Sequence, residues 1–440
     1  MEGRIGAAFD RVVADHAERR FPALTHRHTV LPNVPGKADA IVGMRRSGKT
    51  YLLFQRLAEI EASGVPRERT LYVSFEDERL APLEGADLGE LLAALDRRYP
   101  SARDAECWLL LDEVQSVPDW ERFVRRVVDE GGTRVIVTGS SSKLLSREIA
   151  THLRGRSLAT ELLPFSFAEF LEHHEIGRPA RWPPSSRARS QLESSFRRYL
   201  EVGGFPEIQS MEAEIRVRTL QEYVDVVVFR DVVERHGVSN TVALKHLVRR
   251  ILRSPASALS IHAIHNDFRS HGVAVGKDSL HAWLAHLEDA LLVFPVEIDA
   301  TSEKRRMANP RKAYLVDHGL ARAFAFTGIE DYGHHLENIV YLELRRRFRS
   351  VRYYRTRSGA EVDFVVSLPT GSRRLIQVAA SLDDPSTRAR ELRALAEAAT
   401  ETGARSAEVV TLREEGSLSM GDLEVRIEPA YRWLLGLRGS

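Results

Sequence analysis

A single cysteine, Cys107, is all the sequence holds, so no intrachain disulfide can form, a usage that fits a reducing compartment. No apolar run approaches the roughly 18 residues that a membrane span requires, which excludes a membrane partner. The first twenty residues, MEGRIGAAFDRVVADHAERR, mix acids with bases and lack an apolar core, unlike a secretory signal. An excess of one charge is missing too. Lys plus Arg number 63 against 62 Asp plus Glu, a net charge of +1, which excludes a uniformly basic nucleic-acid coat and an acidic-tail protein while leaving local patches open. Internal repeats and low-complexity tracts are lacking. What remains is 440 residues, 43% hydrophobic and 28% charged, the composition of an ordinary globular chain too long for one core. The expectation is a cytoplasmic protein of two or more domains.

The first half alternates short apolar runs with helical stretches, the pattern of an α/β fold with a parallel sheet covered by helices. The runs are 38–42, 71–75, 108–111, 135–138 and 158–163. The segment GRPARWPPSS, from Gly177 to Ser186, breaks the pattern. Helices are predicted over 191–200 and 214–236, punctuated by Gly203-Gly204-Phe205-Pro206. Between Thr241 and Ile298, Ser260 is a predicted N-cap for a helix over 261–270 that Gly272 ends, and a second helix over 277–287 leads into an extended run. Helix, turn, helix and extended segment is the order of a winged helix-turn-helix, or of a helical spacer with no DNA contact. The last 140 residues are mixed again, with strands expected at 313–316, 351–354, 362–366, 375–378 and 408–412 and helices at 336–348 and 387–400.

Chemistry is written most plainly in Gly43-Met44-Arg45-Arg46-Ser47-Gly48-Lys49-Thr50, a full match to GxxxxGK[ST] set between an apolar run and a helical stretch. Glycines let backbone N–H groups turn around a phosphate, and the following helix start adds its positive end. Gly43, Arg46, Ser47, Gly48, Lys49, Thr50 and Tyr51 are the expected nucleotide contacts, with Lys49 on the β- and γ-phosphates and the Thr50 hydroxyl on Mg²⁺. The apolar run 108–111 ends in Asp112 and Glu113. Asp112 is expected to hold the Mg²⁺ shell and Glu113 to polarise the attacking water. At the end of the fourth run, Ser140 is the candidate for sensing the γ-phosphate. A helix is expected from Lys143, after which Arg156, with Arg154 second, occupies the position from which oligomeric ATPases present an arginine to a neighbouring subunit; a solvated surface arginine is the competing reading. ATP and Mg²⁺ are the implied ligands.

In this order, GMRRSGKT, LLLDEVQSVPDW, VIVTGSSSKLL, LRGR, LLPFSFAEF and GGFPE resemble one group of bacterial and archaeal AAA-type ATPases that carry a C-terminal domain of uncharacterised function. The resemblance runs from about residue 25 to about 430. It implies an AAA+ core over 1–178, a helical lid over 187–238, a winged-helix-like domain over 239–300 and a restriction-endonuclease-like α/β domain over 301–440. Nucleases of the PD-(D/E)XK type use a helix acid, a strand Asp and a Glu-x-Lys on the next strand to hold Mg²⁺ and stabilise phosphate charge. Leu336-Glu337-Asn338 resembles the helix signature and Glu361-Val362-Asp363-Phe364 the Asp strand, but Gln377-Val378-Ala379 stands where Glu-x-Lys belongs. A metal ligand and the nearby cation are thereby lost, so nuclease activity is expected to be absent, with Glu337 and Asp363 kept as fold-stabilising residues.

Even overall charge hides a basic stretch. Between Glu303 and Arg357 there are 13 Lys or Arg and 6 Asp or Glu, a local net of +7. Lys304, Arg305, Arg306, Arg345, Arg346, Arg349, Arg352, Arg355 and Arg357 are the candidate DNA contacts, with Arg311, Lys312 and Arg347 in the same groups and Phe348, Tyr353 and Tyr354 between them. The competing reading is a solvated set of helix and strand faces. The histidine pairs 173–174, 262/265 and 334–335 lack acids or cysteine at metal-site spacing. Two functions fit: a DNA-associated, Mg²⁺- and ATP-dependent motor or remodeller (a helicase, translocase or junction remodeller in DNA repair) working as a homo-oligomer such as a hexamer, or a nucleotide-gated regulatory or defence switch with a partner-binding C-terminal domain.

Overall fold

Apolar strands that are buried on both faces read as continuous hydrophobic runs, and those of the first half pair accordingly. The computed structural model describes residues 2–140, 153, 155–179, 182–325, 332–368 and 371–436. The chain divides into two units, Met1–Leu163 with Asp289–Leu291, and Pro164–Glu288 with Leu292–Ser440. No helix among the described residues is long and apolar enough to cross a membrane.

The first unit runs α1 (Glu2–Glu18), β1 (Ala38–Val42), α2 (Lys49–Ala62), β2 (Thr70–Ser74), α3 (Gly89–Arg98), β3 (Cys107–Asp112), α4 (Trp120–Glu130), β4 (Thr133–Gly139) and β5 (Ser157–Glu161). Its strands form one sheet of order β2-β3-β4-β1-β5, parallel throughout. Because β4 lies between β1 and β3, the C-terminal ends of these three strands open together, the place where ligands of such sheets bind. Leu52, Leu53, Leu57 and Ile60 put one face of α2 on Ile41, Leu110 and Ile136. Truncating any of these to Ala removes about 2–5 kcal/mol. The charged N-terminus forms a helix that the sequence reading did not place: Ile5, Phe9, Val12, Val13 and His16 recur at helical spacing and are buried. The helix expected from Lys143 lies outside the described residues.

The second unit runs α5 (Phe167–His173), α6 (Ser186–Val202), α7 (Ala213–Val226, continued by a π-helical segment Val227–Glu234), α8 (Thr241–Arg253), β6 (Ser257–Leu259), α9 (Ile261–Ser270), α10 (Lys277–Asp289), β7 (Val293–Val296), α11 (Glu303–Ala308), β8 (Arg311–Leu315), α12 (His318–Phe324), α13 (Tyr332–Arg347), β9 (Val351–Arg355), β10 (Glu361–Ser367), β11 (Arg373–Val378), α14 (Pro385–Thr402), β12 (Ser406–Thr411), β13 (Gly416–Met420), β14 (Leu423–Pro429) and α15 (Ala430–Leu435). Ser260 caps α9 as expected, accepting the Ala263 N–H at 3.3 Å. In the glycine pair before Phe205, the Gly204 N–H donates to Asp317 Oδ2 at 2.6 Å. A Cβ on Gly204 would meet the Phe165 carbonyl oxygen at 2.5 Å, so no larger residue fits there.

Three strands form a small antiparallel sheet of order β6-β8-β7. The strand expected at 313–316 as part of the last domain is therefore paired with segments on the other side of residue 300. Its Ala313, Tyr314 and Leu315 are buried, and both of its edges find partners. The six-stranded sheet has the order β13-β14-β12-β11-β10-β9, with β11, β12 and β14 parallel and the outer pairs antiparallel. Backbone bonds continue from one sheet to the other, since the Tyr353 N–H donates to Glu297 O at 3.2 Å and the Asp299 N–H to Tyr353 O at 2.7 Å. Ala394, Leu395, Ala398 and Ala399 of α14 pack on the larger sheet.

Candidate nucleotide-binding site

At the end of β1 the chain turns tightly through the glycine-rich loop into α2. A Cβ on Gly43 would collide with the backbone carbonyl oxygen of Leu162 and with Ser47 Oγ, which explains why the loop begins with glycine. No side chain caps the start of α2 and no acid lies in its first turn, so the helix dipole is left for an anion. Lys49 is buried, with Nζ donating to Gly43 O at 3.2 Å and lying 3.2 Å from Glu113 Oε1. Among the described residues, the hydroxyls of Ser47 and Ser140 are buried with no hydrogen-bond partner. A buried hydroxyl without a partner is costly unless a ligand supplies one. This loop fits a polyphosphate.

Asp112 ends β3 inside a set of donors. Thr50 Oγ1 donates to Asp112 Oδ2 at 2.7 Å, Tyr72 OH to the same oxygen at 3.0 Å, and Thr138 Oγ1 to Oδ1. Thr50 and Asp112, the expected holders of Mg²⁺, are thus adjacent hard oxygen donors that suit that ion. Burial pushes the Asp112 carboxyl up, with the Thr138 and Thr50 hydroxyls working against it. Burial acts on Glu113 as well, but Lys49 and Gln115 beside it outweigh that and hold its carboxyl below the usual range. Glu113 takes a left-handed backbone, φ 56°, and its N–H donates to Thr138 Oγ1 at 2.9 Å. The two adjacent acids therefore have different partners and different proton affinities, the condition for giving them different roles.

The structure brings Gly43, Ser47, Gly48, Lys49, Thr50, Asp112, Glu113 and Ser140 together. Arg46 and Tyr51 lie at the rim, Arg46 exposed at φ 70° and Tyr51 51% exposed. Arg156 is partly exposed and paired with Asp129 of α4. Arg154 lies outside the described residues. Tyr72 and Gln115 escaped the sequence reading; Thr138 and Ser140 share one face of β4 and its end by the two-residue period of a strand. Buried Arg27 escaped it as well. Its guanidinium donates to Ser47 O at 2.8 Å and Leu163 O at 2.5 Å, fastening the loop from behind, and Gln55 Oε1 accepts the Arg27 N–H at 2.7 Å.

The basic stretch is neutralised in part, which corrects the sequence count. Arg346 is turned inward, donating to Pro164 O at 2.7 Å and pairing with Glu343, so it is not a surface contact. Arg347 also pairs with Glu343, Arg352 with Asp299, Arg355 with Glu361 and Arg311 with Glu297. Three of these acids, at 297, 299 and 361, lie outside the counted window and reach it across strands. Arg345 covers the Phe294 ring at 4.1 Å. Arg306 is half-buried, whereas Lys304, Arg305, Arg349 and Arg357 stay exposed. A second correction concerns the acids of the last domain. Glu337 and Asp363 do not lack a cation, because Lys312 of β8 is buried against both.

The fold and the loop define a P-loop ATPase of the AAA class. The AAA-domain family matches residues 36–171. Two domains of unknown function, DUF8612 and DUF4143, match residues 193–332 and 332–429. The chain is 34% identical to the uncharacterized protein MJ1544 of Methanocaldococcus jannaschii, covering 97% of this chain and 95% of the relative. It is 30% identical to an uncharacterized protein of Haemophilus influenzae, with 74% and 78% covered. It belongs to the family of these two proteins. Among solved structures, that of the Aeropyrum pernix ORC1 protein in complex with DNA shares 14% identity over 73% of this chain and 91% of that one, with a TM-score of 0.27.

Proposed function

We propose that this protein hydrolyses ATP with Mg²⁺ and uses the cycle to act on DNA as a homo-oligomer. The observation that carries the hydrolysis is the buried Lys49 standing between the Gly43 carbonyl and Glu113 beside two unpartnered hydroxyls. In this reading the phosphates draw Lys49 from Glu113, and the freed carboxylate, whose proton affinity rises as Lys49 leaves, accepts a proton from the attacking water. Thr138 fixes the Glu113 backbone, and Ser140 donates toward the terminal phosphate. Thr50 and Asp112 would hold Mg²⁺, which when bound would supply neutralisation of phosphate charge. Arg156 exchanges Asp129 for the phosphates bound to a neighbouring copy.

The DNA arm is supported by the succession α8, β6, α9, α10, β7 and β8, which we read as a winged helix, and by the exposed Lys304, Arg305, Arg349 and Arg357. One observation favours a nucleotide-gated switch with a partner-binding C-terminal domain instead: three of the eight expected DNA-contacting arginines, Arg346, Arg352 and Arg355, are spent on acids of this chain. ATPase rates with single-stranded, duplex, forked and four-way DNA, with assembly mass measured in parallel, separate the two. Stimulation of several-fold that Lys49→Ala abolishes supports the DNA-coupled cycle. Slow hydrolysis indifferent to every DNA, without salt-sensitive binding, sinks it in favour of the switch. Mixing Arg156→Ala with Lys49→Ala protein tests the neighbour's arginine, since activity recovers only if the two defects lie on opposite sides of a shared site.

A further inference from the structure

Lys312 is the most heavily paired cation among the described residues. Alternation along β8 turns Lys312 and Tyr314 to the same face, toward α13 and the six-stranded sheet. Lys312 Nζ lies 2.8 Å from Glu337 Oε1, 3.0 Å from Glu361 Oε1 and 3.0 Å from Asp363 Oδ1. Tyr314 OH donates to the same Glu337 oxygen at 2.7 Å. The other carboxylate oxygens are engaged too: Asp363 Oδ2 accepts the Val378 N–H at 3.0 Å and Glu361 Oε2 accepts Arg355 at 2.9 Å. Asn338 grips β8 from α13, accepting the Leu315 N–H at 2.7 Å and donating to Leu315 O at 3.0 Å. Lys312, Glu337 and Asp363 are all buried.

Three carboxylates from a helix and a strand, converging at 3 Å or less on one point, form the oxygen set that a hard divalent cation takes. We propose that the Lys312 ammonium is a tethered cation occupying that point, so that the cluster excludes divalent ions and ties the small sheet to the six-stranded sheet. The cluster is a closed lock, and a metal site is latent in it. Burial and the neighbouring Asp363 push the Glu337 carboxyl up and Lys312 opposes them, in keeping with acids that need a cation among them. Gln377 fits the same account. Its Oε1 accepts the Asp363 N–H at 3.2 Å and its Nε2 donates to Glu391 at 2.6 Å, so the amide serves the scaffold and adds no charge to the cluster. The lock stands apart from the nucleotide reading and is tested without nucleotide.

The experiment compares the full-length wild type, Lys312→Met, and Lys312→Met with Glu337→Gln and Asp363→Asn. Thermal unfolding is followed in EDTA and in millimolar Mn²⁺, and Mn²⁺ binding by electron paramagnetic resonance. The single variant is expected to unfold on the order of 10 °C lower in EDTA, from the effect of stripping a partner from buried charge. Mn²⁺ should return most of that loss and bind one ion more per chain than to wild type. The triple variant should be more stable than the single one in EDTA and indifferent to Mn²⁺. Equal Mn²⁺ binding by wild type and Lys312→Met overturns the exclusion. A triple variant no more stable than the single one, including the case where neither folds, overturns the compensation of the acids by the ammonium.

Discussion

Two buried lysines among the described residues face carboxylates, and they are in opposite states. Lys49 has one carboxylate and one carbonyl, next to hydroxyls with no partner and a helix start that nothing caps. Lys312 has three carboxylates, each also held by other donors or cations. The first ammonium can move to an incoming anion because little holds it. The second cannot move without leaving three acids uncompensated. Readiness for a ligand thus lies in the unspent hydrogen bonds around a charge, and the presence of the charge alone does not disclose it.

The largest expected effects come from breaking the two pairs separately. Lys49→Ala or Glu113→Gln should lower ATP hydrolysis by about 10²–10³ and cost less stability than Lys312→Met, because Lys49 faces one carboxylate and Lys312 three. Lys312→Met should do the reverse, removing about 3–5 kcal/mol of stability while leaving the hydrolysis rate of folded protein within about two-fold. Steady-state kinetics beside denaturant unfolding checks both. If Lys49→Ala destabilises as much as Lys312→Met, the distinction between open and closed pairs fails.

Acid probes the neutral scaffold behind the open pair. Burial, with Arg67 and Arg19 adding to it, lowers His16 to about 4. The neutral ring contacts Thr70 Oγ1 at 3.1 Å and accepts the Tyr72 N–H at 3.4 Å, and the Tyr72 hydroxyl reaches Asp112. The folded pKa lies below the unfolded one, so protonation favours the unfolded chain. Stability contributed here is complete above pH 6.5 and is lost as the pH falls toward 4, reaching about 3 kcal/mol. His16→Gln should flatten the stability profile in that window; an unchanged slope would show that His16 already titrates freely in the folded protein.

The contiguous parts of the site were legible because their chemistry is compressed into single segments: the loop from Gly43 to Thr50, and Asp112-Glu113 closing an apolar strand. The sheet of the first unit was legible because a fully buried parallel strand has no polar face to disguise it. Residues that support the site from afar were not. Tyr72 lies 40 residues before Asp112, and Arg27 fastens Leu163 across 136. Lys312 looked like part of a basic surface run because its partners, Glu337 and Asp363, come 25 and 51 residues later. A count of charge along the chain cannot see strand pairing, which is why part of the local +7 is taken up by acids from outside the stretch. The helix at the N-terminus was hidden differently. Its buried stripe of Ile5, Phe9, Val12, Val13 and His16 is interleaved with charges and reads as polar until the helical period is imposed.

The finest test of the comparison is Thr138, which carries no charge and yet joins both acids of the open site. Its hydroxyl donates to Asp112 and accepts the Glu113 N–H, so it sets the distance between the metal-holding carboxylate and the water-activating one. Thr138→Val keeps the shape of the strand and removes both bonds. Losing one neutral donor amounts to about 1 kcal/mol, or less than about tenfold in rate. The loss should fall mainly on kcat, because the contact positions Glu113 and does not touch the nucleotide. The fall should be smaller in Thr138→Ser, which restores the hydroxyl. If the rate falls equally in both variants, the γ-methyl packing of Thr138 governs the site, and the hydrogen bonds that leave the open pair poised are not what separates it from the closed one.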